Sequence, residues 1–425
     1  MRINISKNIR ILNNNNQYIV INTKRNNEHI INEEMYNLLN DINNKSYTLD
    51  EFVKSKSYEL AVSHHKVFNK LEELIRLDII TLNSKHINNK NVLSKYIYGY
   101  SLDSLSIEVT NKCNLKCVHC YGKFDKCTSP KEISYNYLKS LIKYLNVLNT
   151  KNIALTGGEF FCHSKHQQIF DLFITNGFTI TIFTNGFDLL NLKEFLSKTS
   201  MYFFNIKISI DGFEHTHNLI RQNPKAYYNV MKSVELIASY SNIYGLASFT
   251  INKLNYKETD QFLDFAQHNI PLPITTDIAF TTKFNYNDDI FFNIKDLDQC
   301  WHYLDSYKNL LLKLNKENNK SYYRCSGGIK AATLTYDKKL KICNAAQNEE
   351  YYFGDVKTAH NVIKIWENPP ENIIALRKEL TSSISLCNKC KKKDSCKMVN
   401  CRLLAEAFTG NRLNPNPLIC KTMMG

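Results

Sequence analysis

The chain has no apolar run long enough to span a bilayer, and its first twenty residues hold no hydrophobic stretch of the kind that opens a secretion signal. A secreted or integral membrane protein is therefore not expected; the reading is a cytoplasmic protein with no membrane partner. No internal repeat of roughly 20–50 residues is found, so a repeat architecture is not expected. The chain is not short of apolar residues: 43% are hydrophobic and 22% charged, which excludes a wholly disordered polymer. Acid is the scarcer charge, 40 Asp and Glu against 54 Lys and Arg, for a net charge of +14. Such an excess suits an acidic peptide or nucleic acid. However, Lys, Asn and Ile are abundant throughout, with a polar run at Asn13–Asn16, so the charge reads as a general bias and no nucleic acid partner is expected. At 425 residues the chain has room for two to three domains.

Cysteine is what the sequence has in plenty. There are 13, an odd number, most of them in two tight groups. In a chain without a secretion signal, close spacing points to metal or iron–sulfur ligation in a reducing compartment, not to a disulfide scaffold.

Three segments follow from the pattern. Residues 1–95 show short strand-like runs at Ile9–Leu12, Tyr18–Ile21, His29–Ile31 and Ile79–Leu82, with three helical patterns before the last of them. The clearest helix puts Val67, Phe68, Leu71, Leu74 and Ile75 on one face. This is a winged-helix-like unit, and the polar stretch Asn83–Asn91 is its linker. Residues 96–309 alternate strands (Leu105–Val109, Ile153–Leu155, Phe178–Phe183, Phe204–Ile210, Leu246–Ile251, Ile274–Phe280) with helical patterns such as Tyr135–Leu148, Leu192–Leu196 and Ala226–Ile237. Six strand–helix units predict an α/β fold, a partial (β/α)6 TIM-like barrel with ligands at the carboxyl ends of its strands. The chemistry-bearing loops fall at those ends: Cys113–Cys120, Gly157–Glu159, Thr184–Gly186 and Asp211–Gly212. In residues 310–425 the alternation stops and the cysteines return, beginning around a hairpin of Thr333–Tyr336 and Leu340–Ile342.

Cys113, Cys117 and Cys120 form a Cys-x3-Cys-x2-Cys loop after the first barrel strand. Three thiolates can hold three irons of a [4Fe–4S] cube and leave the fourth open to a substrate. A zinc site completed by His119 is the alternative. Thr156-Gly157-Gly158-Glu159 ends the second strand, where glycines admit a close ligand and a carboxylate can accept from an ammonium. Ser209 and Asp211 end the fourth strand, and their oxygens suit ribose hydroxyls. The plain alternative for each is a turn or an ion pair.

Together these motifs resemble the radical S-adenosylmethionine (SAM) enzymes. The resemblance implies that Gly157, Gly158 and Glu159 meet the SAM amino group, that Arg221 meets its carboxylate, and that His119 stands where an aromatic ring lies near the adenine. Phe160 replaces the usual Pro. In the last segment Cys325 and Cys343 flank the hairpin, followed by Cys387-x2-Cys390-x5-Cys396-x4-Cys401 and Cys420. With Gly354-Asp355-Val356 and Trp366 this resembles a SPASM domain, a cysteine-rich iron–sulfur module. The resemblance implies that Cys325, Cys343 and Cys401 hold auxiliary cluster I and that Cys387, Cys390, Cys396 and Cys420 hold cluster II, for three [4Fe–4S] clusters with SAM. The family's last close pair is spaced x3, and here it is x4. A zinc ribbon across Cys387–Cys420 is the alternative. Lys389, Lys391, Lys392, Lys393, Lys397 and Arg402 crowd this group, either stabilising a reduced cluster or forming a solvated face.

The first segment resembles the precursor-peptide recognition element of ribosomal peptide natural-product pathways, which takes a leader peptide as an added strand beside its last helix. That helix, Val67–Asp78, mixes Lys70 and Arg76 with Glu72, Glu73 and Asp78 and is not a basic DNA-reading helix. The implied function is a peptide maturase that installs a cross-link, a Cys thioether first and a carbon–carbon or ether bond second, with electrons from a donor such as flavodoxin or ferredoxin. Formylglycine formation is an alternative; it expects Asp where this chain has Asn344. An iron–sulfur peptide-binding or electron-transfer protein without SAM turnover is the non-enzyme alternative. Cys127, Cys162 and Cys300 are read as small buried hydrophobes.

Overall fold

The computed structural model describes residues 1–424 except 15–16, 23, 26, 88–91, 96–100, 281–288, 294, 297–299, 318–324, 382–383 and 397–400. Residues 15 and 16 of the polar run, 88–91 of the expected linker, the segment boundary at residue 96, and Lys397 lie outside the described residues.

Six parallel strands run in chain order across the central sheet: β7 (Ser104–Glu108), β8 (Asn152–Thr156), β9 (Thr179–Thr184), β10 (Phe204–Ser209), β11 (Ile243–Ile251) and β12 (Ile274–Ile278). The helices between them are α4 (Tyr135–Val147), α5 (His166–Thr175), α6 (Leu189–Thr199), the pair α7 (Glu214–Arg221) and α8 (Ala226–Ala238), and α9 (Thr259–Asn269). Burial alternates along β9, β10 and β11. Ile180, Ile182, Phe204, Ile206 and Ile208 are sealed in one core with Phe170, Phe195, Val230 and Val234 of the surrounding helices. The opposite face carries Thr181, Asn205, Lys207, Ser209, Ser248 and Thr250, all only partly buried. Six strands do not close a barrel whose interior side chains would fill it, so the inner face stays wet and polar. This is the partial (β/α)6 arrangement expected.

The sheet continues past the barrel's first strand. β13 (Ala331–Leu334) lies parallel to β7, and β14 (Lys339–Lys341) and β15 (Tyr352–Asp355) follow antiparallel, completing nine strands. The hairpin expected in the last segment is therefore an extension of the barrel sheet. Trp366 is fully buried against β15, stacked on Phe353 with the Arg377 guanidinium 4.6 Å from its ring.

In the first segment β2 (Ile9–Asn14), β3 (Gln17–Asn22) and β4 (Asn27–Ile31) form an antiparallel meander, with β6 (Val92–Lys95) parallel to β2, so β4 is an edge. β1 (Arg2–Ile5), which the pattern did not reveal, pairs with β5 (Ile80–Asn83). Three capped helices pack on this framework: α1 (Glu33–Asn44) behind Asn32, α2 (Leu49–Glu59) with a Thr48–Glu51 capping box, and α3 (His64–Arg76) behind Ser63. Val67, Leu71 and Leu74 of α3 are buried, but Phe68 and Ile75 are exposed; the apolar stripe is wider than the face the core covers. No helix among the described residues is long and apolar enough to cross a membrane.

Candidate active site

A cavity of about 310 Å3 opens at the carboxyl ends of the barrel strands, lined by Cys113, Cys117, Cys120, His119, Gly157, Gly158, Glu159, Ser209 and Arg221. Of the barrel residues expected to hold the cluster or SAM, Asp211 is the one missing from this wall.

The cysteine loop is held on several sides. The Val118 amide donates to Ile220 O of α7 (2.9 Å) and the Phe124 amide to Cys120 Sγ (3.3 Å). Asn185 Nδ2 reaches Asn114 Oδ1 (2.8 Å) and Cys113 Sγ (3.8 Å). Arg221 Nη1 donates to Cys117 Sγ at 3.4 Å. Burial pushes the Cys113 and Cys117 thiols up, and Arg221 opposes this at Cys117. A positively charged donor against a sulfur favours a thiolate, the form that binds metal.

The two glycines serve the protein before any ligand. The Gly158 amide donates to Thr110 O (2.8 Å) and the Glu159 amide to Lys112 O (2.9 Å), zipping this loop to the start of the cysteine loop. A Cβ would lie 2.3 Å from Thr110 O at Gly157, where φ is +142°, and 2.3 Å from Lys112 O at Gly158. Only residues without a side chain allow the two loops this contact.

Glu159 is buried and engaged on both oxygens. Oε1 accepts from the Phe161 amide (3.2 Å) and Thr184 Oγ1 (2.9 Å), and Oε2 from the Asn185 amide (2.8 Å). Burial pushes its carboxyl up to about 7, although those donors pull the other way. The second oxygen keeps room for a further donor.

Asp211 is fully buried beneath the wall. Its Oδ2 takes Arg221 Nη2 at 2.6 Å and His119 Nε2 at 3.1 Å. The Asp211 amide donates to His217 Nδ1 (3.0 Å), whose ring burial holds neutral, down to about 3. Burial alone would raise the Asp211 carboxyl, but Arg221 and His119 outweigh it and hold it well below the usual range. Asp211, expected at a ribose, does not line this cavity; its Oδ2 holds Arg221 and His119, and Ser209 is the member of the pair that reaches the wall. Arg221 Nε and His119 Nδ1 remain buried without a hydrogen-bond partner.

Sequence reasoning missed Asn185 as a clamp on the cysteine loop; its place in the Thr184–Gly186 strand end was the signal. It also missed the pair joining barrel and hairpin: Lys341 Nζ lies 3.0 Å from Glu108 Oε1, with both side chains nearly inaccessible. Ala345, two residues past Cys343, lines the cavity.

The remaining cysteines fall into two neighbourhoods. Cys401 is near enough to feel the charges of Cys325 and Cys343, and Cys420 those of Cys387, Cys390 and Cys396. Burial pushes Cys343 and Cys420 up to about 11 and Cys401 to about 12. Backbone amides of Gly327, Ala345, Ala346, Leu403 and Leu404 bond the sulfurs of Cys325, Cys343 and Cys401. Among the described residues no three His, Cys, Asp or Glu side chains converge on a single-ion site. Ligands of a cube bind separate irons and stand further apart than donors around one ion.

Residues 107–266 match the family model described as the radical SAM superfamily. This segment is a radical SAM domain. Two curated proteins of Bacillus subtilis (strain 168) are similar to the chain. The sporulation killing factor maturation protein SkfB is 26% identical over 162 residues, 38% of each chain. The antilisterial bacteriocin subtilosin biosynthesis protein AlbA is 23% identical over 263 residues, 59% of this chain and 56% of its own. The chain thus spans little more than half the length of either relative, or less. Among solved structures, Streptococcus suis SuiB bound to precursor peptide SuiA superposes with a TM-score of 0.62 at 16% identity, over 99% of this chain and 100% of that one. The structure described as native anSMEcpe with bound AdoMet gives 0.58 at 18%, over 75% and 94%. These likenesses show a shared fold.

A radical SAM domain implies one [4Fe–4S] cluster and SAM. The residues present fit both: three cysteines with a cationic donor line one cavity, and Arg221 Nε and His119 Nδ1 are two buried polar atoms in need of partners.

Proposed function

We propose that this chain is a peptide maturase that uses SAM to install a cross-link in a ribosomally made precursor peptide, a Cys-to-carbon thioether first and a carbon–carbon or ether bond second. The observation that carries it is the single cavity into which Cys113, Cys117, Cys120, the Gly157–Glu159 loop, Ser209 and Arg221 converge. When bound, a cube with one open iron supplies the electron that splits SAM into methionine and a 5′-deoxyadenosyl radical. Cys113, Cys117 and Cys120 hold that cube. Arg221, braced by Asp211, offers its free Nε to a carboxylate, Glu159 offers an oxygen to an ammonium, and Ser209 offers a hydroxyl to a ribose. Phe183, Phe280 and Phe291 line the rest of the wall and keep competing hydrogen donors from a radical.

The neighbourhoods of Cys325, Cys343 and Cys401 and of Cys387, Cys390, Cys396 and Cys420 support two auxiliary clusters of a SPASM-type module, for three in all. The peptide enters through the first segment. Edge strand β4 and helix α3 enclose a groove of about 720 Å3 lined by Ile30, Ile31, Met35, Leu38, Val67 and Leu71. It suits a leader peptide added as a strand, with side chains in the apolar floor. Relatives named for maturation and biosynthesis of peptide factors, and a same-fold protein described as bound to its precursor peptide, support this reading. Holding the leader raises the local concentration of the segment to be modified.

The test is anaerobic incubation with SAM and dithionite. The expected product is 5′-deoxyadenosine, and none above the blank refutes the enzyme reading. With its peptide, the expected product is a peptide lighter by two hydrogens. Reconstituted protein should hold about twelve irons, and the triple Cys113/Cys117/Cys120→Ala variant about eight.

A further inference from the structure

Cys390 is the one cysteine of the thirteen that is exposed. It sits in a turn, Cys387–Cys396, where Lys389, Lys391, Lys392 and Lys393 are all exposed and Asp394 is the single acid. Six lysines elsewhere, Lys24, Lys45, Lys70, Lys198, Lys232 and Lys308, each pair with a nearby carboxylate. The four around Cys390 make no ion pair among the described residues. Leu386, just before Cys387, is 56% exposed and adds an apolar side chain next to these lysines in the chain.

From this corner the sulfurs lead inward. Cys387, Cys396 and Cys420 are half-buried. Arg402 is buried and anchored to Glu379 O (3.0 Å) and Arg412 O (3.3 Å), and its charge reaches both Cys387 and Cys325. It is a fixed cation between the two neighbourhoods. Cys343 then stands two residues from Ala345 on the cavity wall.

We infer that the lysine rim around Cys390 is the docking face for a small acidic electron-carrier protein, which passes one electron at a time to the group held by Cys387, Cys390, Cys396 and Cys420. This rests on the proposal that those cysteines hold an iron–sulfur cluster. The reaction is outer-sphere: the carrier is oxidised by one electron, the cluster is reduced by one, and no bond forms between the proteins. Four uncompensated cations attract an acidic partner and set its orientation, and the exposed sulfur shortens the electron's path.

The test uses the full-length reconstituted protein and, as carrier, a bacterial flavodoxin in its hydroquinone form. Stopped-flow bleaching of the iron–sulfur absorbance is followed across a salt series. Changing all four lysines to Glu is expected to slow reduction by flavodoxin roughly tenfold or more at low salt and to flatten its salt dependence. Lys→Gln at the same positions should fall between. Iron content and reduction by dithionite should match the unaltered protein. Unchanged flavodoxin rates with an unchanged salt slope would overturn the inference. So would a variant that keeps those rates and loses affinity for the precursor peptide, because the face would then belong to the substrate. Failure of the iron–sulfur reading itself is visible separately, as about four irons too few in the unaltered chain.

Discussion

On the proposed reading Glu159 serves both fold and chemistry. Its carboxylate ties the second strand's loop to the Thr184–Asn185 strand end, and burial moves its proton affinity up to about 7. An ammonium is bound by the ionised form, so affinity for SAM should rise as pH is raised from about 6 to 8, through that value. Anaerobic equilibrium binding of SAM tests this. Glu159→Gln should bind more weakly and with a flat profile; a variant as pH-dependent as the parent would refute the role. Asp211 makes the complementary case. A carboxylate with no exposure that holds a guanidinium and an imidazole orients both, and on the proposed reading the atoms that meet SAM are on Arg221 and His119.

Among elements, the junction of β7 and β14 matters most. β7 feeds the cysteine loop and β14 feeds Cys343, and the Glu108–Lys341 pair is buried between them. Burial pushes the Glu108 carboxyl up and Lys341 opposes it. Lys341→Met leaves an unpaired buried acid and should cost about 3–5 kcal/mol, whereas Glu108→Gln with Lys341→Met should cost clearly less, because no charge is stranded. Denaturation followed by the fluorescence of Trp366, packed on β15 in this sheet, reads the difference. Equal losses in the single and double variants would count against an ion pair as the link.

At the scale of the molecule, the first segment presents a groove far in sequence from the barrel cavity. Ile30 on β4 is 69% exposed and lines that groove. Covering such a side chain is worth about 1.5–3 kcal/mol, so Ile30→Glu should weaken leader-peptide binding roughly tenfold or more in fluorescence anisotropy. Leu190→Glu, at an apolar residue on α6 that is 78% exposed, should leave it unaltered. Equal losses from both would place the leader elsewhere.

Local signals carried much of this protein. Strand-like runs placed β9, β10 and β11 within a few residues, and the cysteine spacing of 113–120 named a loop that does line the cavity, because both depend on residues close in the chain. Other features needed the folded molecule. β1 is four residues whose partner β5 lies some eighty residues on, and no short window reports such a pairing. Asp211 and Ser209 look alike as strand-end oxygens, but in the fold Ser209 lines the cavity while Asp211 meets Arg221, ten residues away on α7, and His119. The Glu108–Lys341 link arises because β13 joins the barrel sheet beside β7 and carries β14 with it. Strand order is set by how the whole sheet buries its apolar face, and that is a property of the packed chain, not of any stretch of it.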